Sequence, residues 1–302
     1  MSNALWNQVK QGFQRFRTEQ TLAMEIKDLQ PLVPYDKPSY ELVQAKETLP
    51  INEPKNITEA AYKEHWERIK ARVEALKKQD NTLEVFGAKH HLYRINHCLA
   101  EEEIAKFEQE NDIQLPEDYR TYLKFFGDGG AGPHYGVIPL RKAACESFPL
   151  DVPFKFTLPY FPDVDVHQFF EYDHATRTPR YFFESREALI ETIYGTEEAY
   201  QKATNYVDEK TLDAFTDEQY KEYRAFTKYG GILWLCEEGC GHISFLVVRG
   251  QEYGAMWGDS TVSDYGIFPH TQKGDKTFKT RLSFAEWFTE WLEKGERGEW
   301  RW

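Results

Sequence analysis

Cysteine is scarce: Cys98, Cys145, Cys236 and Cys240 are the only four in 302 residues. That is too few for the disulfide framework of a small secreted scaffold, and it predicts reduced thiols. Long apolar runs are missing as well. The longest, ISFLVV at Ile243 to Val248, falls far short of the roughly 20 residues a spanning helix needs. The start, MSNALWNQVKQGFQRF, has no continuous apolar region of the signal-peptide kind. These features predict a cytoplasmic protein with no membrane partner. Basic charge is in deficit, with 37 Lys and Arg against 50 Asp and Glu, a net charge of −13. A phosphate backbone needs a basic face, so this balance argues against direct nucleic-acid binding and for a basic partner. No fixed-period repeat or low-complexity segment is present, which excludes solenoids and propellers. The G-x-S-x-G, H-E-x-x-H and lysine-bearing phosphate-loop signatures are absent too, and a protein that is not an enzyme is expected.

What is present is a folded chain, 41% hydrophobic and 16% aromatic. One stretch invites a specific chemistry. GDGGAGPHYG holds Gly127, Gly129 and Gly132 at G-x-G-x-x-G spacing, but a dinucleotide cradle needs that motif to follow a strand and open a helix. Here LPEDYRTYLKFF precedes it, with Pro116, Glu117 and Asp118 suited to a helix start and Tyr119, Tyr122, Leu123 and Phe126 at helical spacing. The glycines therefore end a helix, with Gly127 expected as a left-handed stop. Carbonyl oxygens and Asp128 at that end repel phosphate, so a structural turn is predicted.

Elsewhere the pattern alternates between helix and short strand. Residues 1–30 contain one amphipathic stretch, with Leu5, Trp6, Val9, Phe13 and Phe16 on a face, and prolines break up residues 31–57. A second helix over Thr58 to Asp80 aligns Ala61, Tyr62, His65, Trp66, Ile69, Val73 and Leu76, with His65 expected at the edge of the core. The boundary is placed here: 1–80 as an N-terminal helical extension with a Pro-rich connector, and 81–302 as the main domain. LEVFG and HHLYRIN read as β-like pieces and YGVIPL as a strand, whereas EALIETIYGTEEAYQKATNYV reads as helix. GILWLC, HISFLVV and EYGAMWGD predict an antiparallel meander. Ser283 and Glu286 have capping-box spacing ahead of Phe284, Trp287, Phe288, Trp291 and Leu292, with Gly295 as the expected stop.

Clusters that suggest chemistry are few. Cys236, Cys240 and His242 would supply three zinc ligands, but a fourth is lacking and Cys236 ends an apolar strand, so no metal and no cofactor are expected. His90, His91, His97 and Cys98 are sequence neighbours, which does not make a catalytic pair. Acidic and aromatic residues in loops are the better candidates for recognition. These are Asp128, His134 and Tyr135 in the glycine turn, Glu237 and Glu238 after Cys236, and Asp259, Asp264 and Tyr265 near the last apolar run. Turn capping and core packing are the competing roles for Trp257 and for these aspartates.

Three segments in order carry a family resemblance: HLYRIN with EEEIAKFEQENDIQLPEDYRTYLKFFGDGGAGPHYGVIPL, then ILWLCEEGCGHISFLVVRGQEYGAMWGD, then SFAEWFTEWLEK. Together, from Leu83 to Lys294, they resemble the SUKH superfamily of bacterial immunity proteins and Smi/Knr-type regulators. Asp128 stands where many members have asparagine, and Tyr194 to Tyr229 looks like an insertion. The resemblance implies an α+β domain, a twisted, largely antiparallel sheet with helices packed around it. It also implies action by binding a cognate toxin, often one that attacks nucleic acid. A regulatory scaffold of the cell-wall-regulator type and, less favoured, a zinc-dependent enzyme are the alternatives.

Overall fold

The computed structural model describes residues 57–161, 170–173, 178–205, 214–219, 221, 228–263 and 265–299. The chain divides into compact units Met1–Thr48 and Leu49–Trp302, and all described residues belong to the second. The amphipathic stretch at Leu5 to Phe16 and the connector over 31–56 lie outside the described residues.

The fold is α+β. Its helices are α1 (Glu59–Gln79), α2 (Ala88–His91), α3 (Glu101–Asn111), α4 (Glu117–Phe125), α5 (Leu140–Ala143), α6 (Arg186–Tyr194), α7 (Glu197–Thr204) and α8 (Phe284–Glu296). A hairpin, β1 (Phe170–Asp173) with β2 (Thr178–Tyr181), stands apart from the main sheet. The sheet is the expected meander: β3 (Ile232–Gly239), β4 (His242–Val247), β5 (Met256–Asp259) and β6 (Ile267–Pro269), each antiparallel to the next. In register, Trp234 faces Phe245, Phe245 faces Trp257, and Trp257 faces Pro269.

Alternation along the strands gives each face its own core. Leu233, Leu235, Leu246 and Met256 point to the helices, whereas Ile232, Phe245, Val247, Trp257 and Ile267 pack on Phe154, Phe156, Tyr160 and Tyr229. A third cluster gathers Phe161, Phe183, Leu189, Ile190, Tyr194 and Tyr200 around α6 and α7.

At the centre of the helical layer sits Trp66 of α1, fully buried. Its ring lies edge-on to Tyr122 at 5.2 Å and to Phe288 at 5.9 Å, and its Nε1 donates to Thr121 Oγ1 at 3.2 Å. Truncating such a tryptophan costs on the order of 3–5 kcal/mol. Ile69, Val73 and Leu76 of α1 join the same core. The main body therefore starts before α1, not at residue 81, because the apolar stripe of α1 is buried against α4 and α8. At its far end α1 meets α8 closely: a Cβ on Gly295 would come within 3.0 Å of Leu76 Cδ2. Gly295 lies inside α8 and permits this approach; it does not end the helix.

The capping box of α8 forms as its spacing predicts, with Ser283 N donating to Glu286 Oε2 at 2.9 Å and Glu286 N to Ser283 Oγ at 3.4 Å. Other elements differ from the sequence reading. The helical run after Glu187 is broken at Gly195, where φ is +83°, and Thr196 then caps α7. LEVFG and HHLYRIN form turns and the short α2, with isolated bridge residues at Val85 and at Ile95, the latter pairing with Gly130. Among the described residues, no helix is long and apolar enough to cross a membrane.

Candidate partner-binding edge

The glycine stretch is stitched onto the open edge of β3. Gly130 and Val137 exchange N–H···O bonds of 2.8 Å, Ile138 N donates to Leu235 O at 2.8 Å, and Ala131 N donates to Arg94 O. Backbone here runs so close to backbone that side chains do not fit. A Cβ on Gly130, whose φ is +102°, would come within 2.2 Å of Arg94 O. Gly127 plays a different part from the one expected, because its φ is not left-handed, and neither is that of Gly132. A Cβ on Gly127 would reach 2.5 Å from Asn96 O, and one on Gly132 would reach 2.6 Å from Val137 Cγ2. The turn is structural.

Asp128 serves this turn and not an open surface. Its Oδ1 accepts from Leu140 N at 2.7 Å, capping α5, and its backbone oxygen accepts from Asn96 Nδ2 at 2.8 Å. Burial pushes its carboxyl up, against the Leu140 bond.

His134, Tyr135, Glu237 and Glu238 are brought together. Tyr135 N donates to Glu237 O at 3.3 Å, which lays the glycine turn along the end of β3. A Cβ on Gly239 would sit 3.1 Å from the Tyr135 hydroxyl. The Tyr135 ring is 5.2 Å from that of His90 and 5.5 Å from that of Phe86, both unforeseen in the sequence reading as its neighbours.

The two glutamates, adjacent in sequence, go opposite ways. Register shifts in β3 between Trp234 and Cys236, and again between Glu237 and Gly239, break the strict alternation. Leu235 and Cys236 both join the helix-side core, Glu237 is exposed, and Glu238 turns inward. Glu238 Oε2 lies 3.7 Å from His134 Nε2, and its Oε1 lies 3.9 Å from His270 Nε2 and accepts from Ser244 Oγ. Ser244 Oγ is also 2.8 Å from His270 Nε2. Burial pushes the Glu238 carboxyl up, lowers His134 to about 4 with help from Lys294 and His242, and lowers His270 to about 3 with help from His134 and Lys294. Both imidazoles are therefore neutral near pH 7.

Serine, histidine and glutamate in contact invite a nucleophile reading, but no partner of the trio presents the serine oxygen outward: Ser244 Oγ is held between Glu238 Oε1 and His270 Nε2. Ser244 is also fully buried. The group is a polar lock joining β3, β4 and the residues after β6. Neither Ser244 nor His270 had a sequence signal, because the contacts join positions on different strands.

Of the third candidate group, Asp259 is structural. Its Oδ2 accepts from the Tyr229 hydroxyl at 2.9 Å, and its Oδ1 accepts from Thr261 N and Oγ1 at 2.9 and 2.6 Å. Asp264 lies outside the described residues. Tyr265 is 45% exposed, with its ring 6.0 Å from that of His242. His242 opens β4 beside the β3–β4 turn and holds Ser260 Oγ at 2.7 Å and Ser263 Oγ at 2.9 Å, so the β5–β6 loop reaches the same end of the sheet.

The suspected zinc ligands are used otherwise. Cys236 is buried with its Sγ 3.0 Å from Pro133 O, whereas Cys240 is exposed in the turn. Among the described residues, no group of three or more His, Cys, Asp or Glu side chains is arranged to hold a metal. Comparison of the chain with protein-family models, with curated proteins and with solved structures finds no match.

Proposed function

We propose that the protein is a cytoplasmic immunity protein that binds and neutralises a basic, nucleic-acid-targeting toxin of a bacterial polymorphic or contact-dependent system. The observation that carries this reading is the convergence of the glycine turn, the end of strand β3, where the sequence pattern predicts a loop, and the β5–β6 loop, remote in sequence, at one end of the sheet. They bring Tyr135, Glu237 and Tyr265 around a rigid polar lock. Loops on a stiff frame are where recognition resides, exposed tyrosine gives contact area at little entropic cost, and carboxylates on a chain of net charge −13 steer a basic partner. The segments resembling SUKH immunity proteins contain the glycine turn and the β3–β4 turn. Inhibition by occlusion needs no cofactor and no reaction.

The test is co-expression with the toxin encoded beside the gene, scored by survival, together with association kinetics on the purified pair. Protection and a salt-sensitive association slowed by Glu237→Lys are expected. Absence of both binding and protection sinks the reading. Binding unaffected by Glu237→Lys and Tyr265→Ala moves the interface elsewhere.

A further inference from the structure

A second surface lies away from that edge, on the outside of the helical layer. α1 and α8 run side by side and leave a groove of about 400 Å³ between them. Its apolar part is formed by Ile57, Ala61, Tyr62 and Ala285. Ile57 is 38% exposed, among the most exposed large apolar side chains of the described residues.

One wall is acidic. Glu286, Glu290 and Glu293 of α8 line the groove, with Asp118 at the start of α4, and no lysine or arginine does. The spacing i, i+4, i+7 places the three glutamates along one face over about 10 Å. Glu290 pairs with Lys294 at 2.8 Å and Glu293 with Arg297 at 3.6 Å along α8 and its C-terminal end, Glu293 also acts on Arg72 of α1, and Glu286 closes the capping box. Ion pairs of the first two kinds, four residues apart on a helix surface, are weak and can exchange for an external cation.

Two further groove residues carry buried polar atoms, His65 Nε2 and Thr289 Oγ1, with no hydrogen-bond partner among the described residues. Such atoms are costly to leave unpaired. At Tyr62 the field is negative, since burial, followed by the charges of Asp118, Glu117 and Glu286, pushes the phenol up to about 12, whereas at His65 burial and then the charges of Arg68 and Arg72 lower the imidazole.

We propose that the α1–α8 groove is a second docking surface, taking a basic amphipathic helix of a partner protein. Its apolar side lies on Tyr62, Ala61 and Ala285, and its lysines or arginines face the glutamate stripe. Charge complementarity selects this occupant over a second copy of the chain, which carries the same acidic stripe. The proposal is independent of the toxin-binding edge and stands or falls without it.

The probe is a fluorescein-labelled helical peptide with leucines on one face and lysines beside them, titrated with the full chain at low salt and followed by anisotropy. A scrambled peptide of the same composition is the comparison. Saturable binding of the amphipathic peptide is expected, weakened about tenfold or more by Glu290→Lys/Glu293→Lys. Ala61→Arg, at an exposed position, should block the groove with an unchanged melting temperature. Glu191→Lys/Glu198→Lys on α6 and α7 changes net charge equally and should leave binding near its original strength. Equal weakening by that control, or equal binding of the scrambled peptide, would mean bulk electrostatics and overturn the proposal, as would no binding at all. A dimer dissociated by Ala61→Arg would assign the groove to a second copy and overturn it too.

Discussion

Glu252 and Arg281 meet in the interior, with Arg281 Nη2 donating to Glu252 Oε1 at 3.2 Å and Nε donating to Oε2. Glu252 is 1% exposed and Arg281 7%. The pair is well furnished: Trp257 Nε1 also donates to Glu252 at 3.2 Å, and Arg281 Nη2 donates to Thr157 O at 3.1 Å. It ties the β4–β5 connection to the approach to α8. Arg281→Met should cost about 3–5 kcal/mol, because it strands a buried carboxylate. Glu252→Gln/Arg281→Met should recover part of that loss. Denaturant unfolding of the three proteins decides it, and a single mutant as stable as the parent refutes the account.

Two glycines of the turn should respond differently to alanine. Gly130→Ala combines a φ of +102° with a 2.2 Å approach to a backbone oxygen, and should cost more than about 2 kcal/mol. Gly132→Ala keeps an ordinary φ and would place its Cβ 2.6 Å from Val137 Cγ2 and 3.2 Å from a ring carbon of Phe288, and should cost less than Gly130→Ala, since its closest contacts are side chains and no positive φ is strained. Melting temperatures in the reverse order would show that crowding, not backbone conformation, limits this turn.

Acid should destabilise the fold well before ordinary carboxylates titrate. His91 and His134 are lowered to about 4 and His270 to about 3, each chiefly by burial. Below about pH 6.5 the unfolded chain takes up protons that the native histidines refuse, so stability present above that pH is lost as pH falls towards 4. The slope is at most about 1.4 kcal/mol per pH unit for each histidine. Glu238, with its carboxyl pushed up, acts in the opposite sense and offsets part of the fall. The melting temperature should drop between pH 7 and 5, and His270→Asn should flatten the profile. A flat profile for the parent protein would contradict the buried neutral histidines.

Glu237 and Glu238 should separate cleanly into two roles. Glu237→Lys should leave the melting temperature unchanged, because the side chain is exposed and only its backbone oxygen is engaged. Glu238→Ala should lower stability by about 1–3 kcal/mol, since Ser244 loses its acceptor and His134 its neighbour. Thermal melts of both single mutants check this; a joint substitution would mix steering with stability.

Local pattern alone determined a good deal. The stripe of α1, the capping box and apolar repeat of α8, and the β3–β4–β5 meander were all legible, because each depends on residues within a few positions of one another. So was the reversal at the glycine motif, where a helix enters the loop and does not leave it. Only the tertiary structure decided the rest. That α1 belongs to the core depends on Trp66 finding Tyr122 and Phe288. That Asp128 and Asp259 are structural depends on which backbone amides lie within reach. The sharpest case is Glu237 and Glu238, two like residues side by side, one exposed and one locked to Ser244, His134 and His270. An irregularity in β3 that leaves no mark in local composition sets which is which, because reversing a strand's faces takes only one extra residue in the pairing.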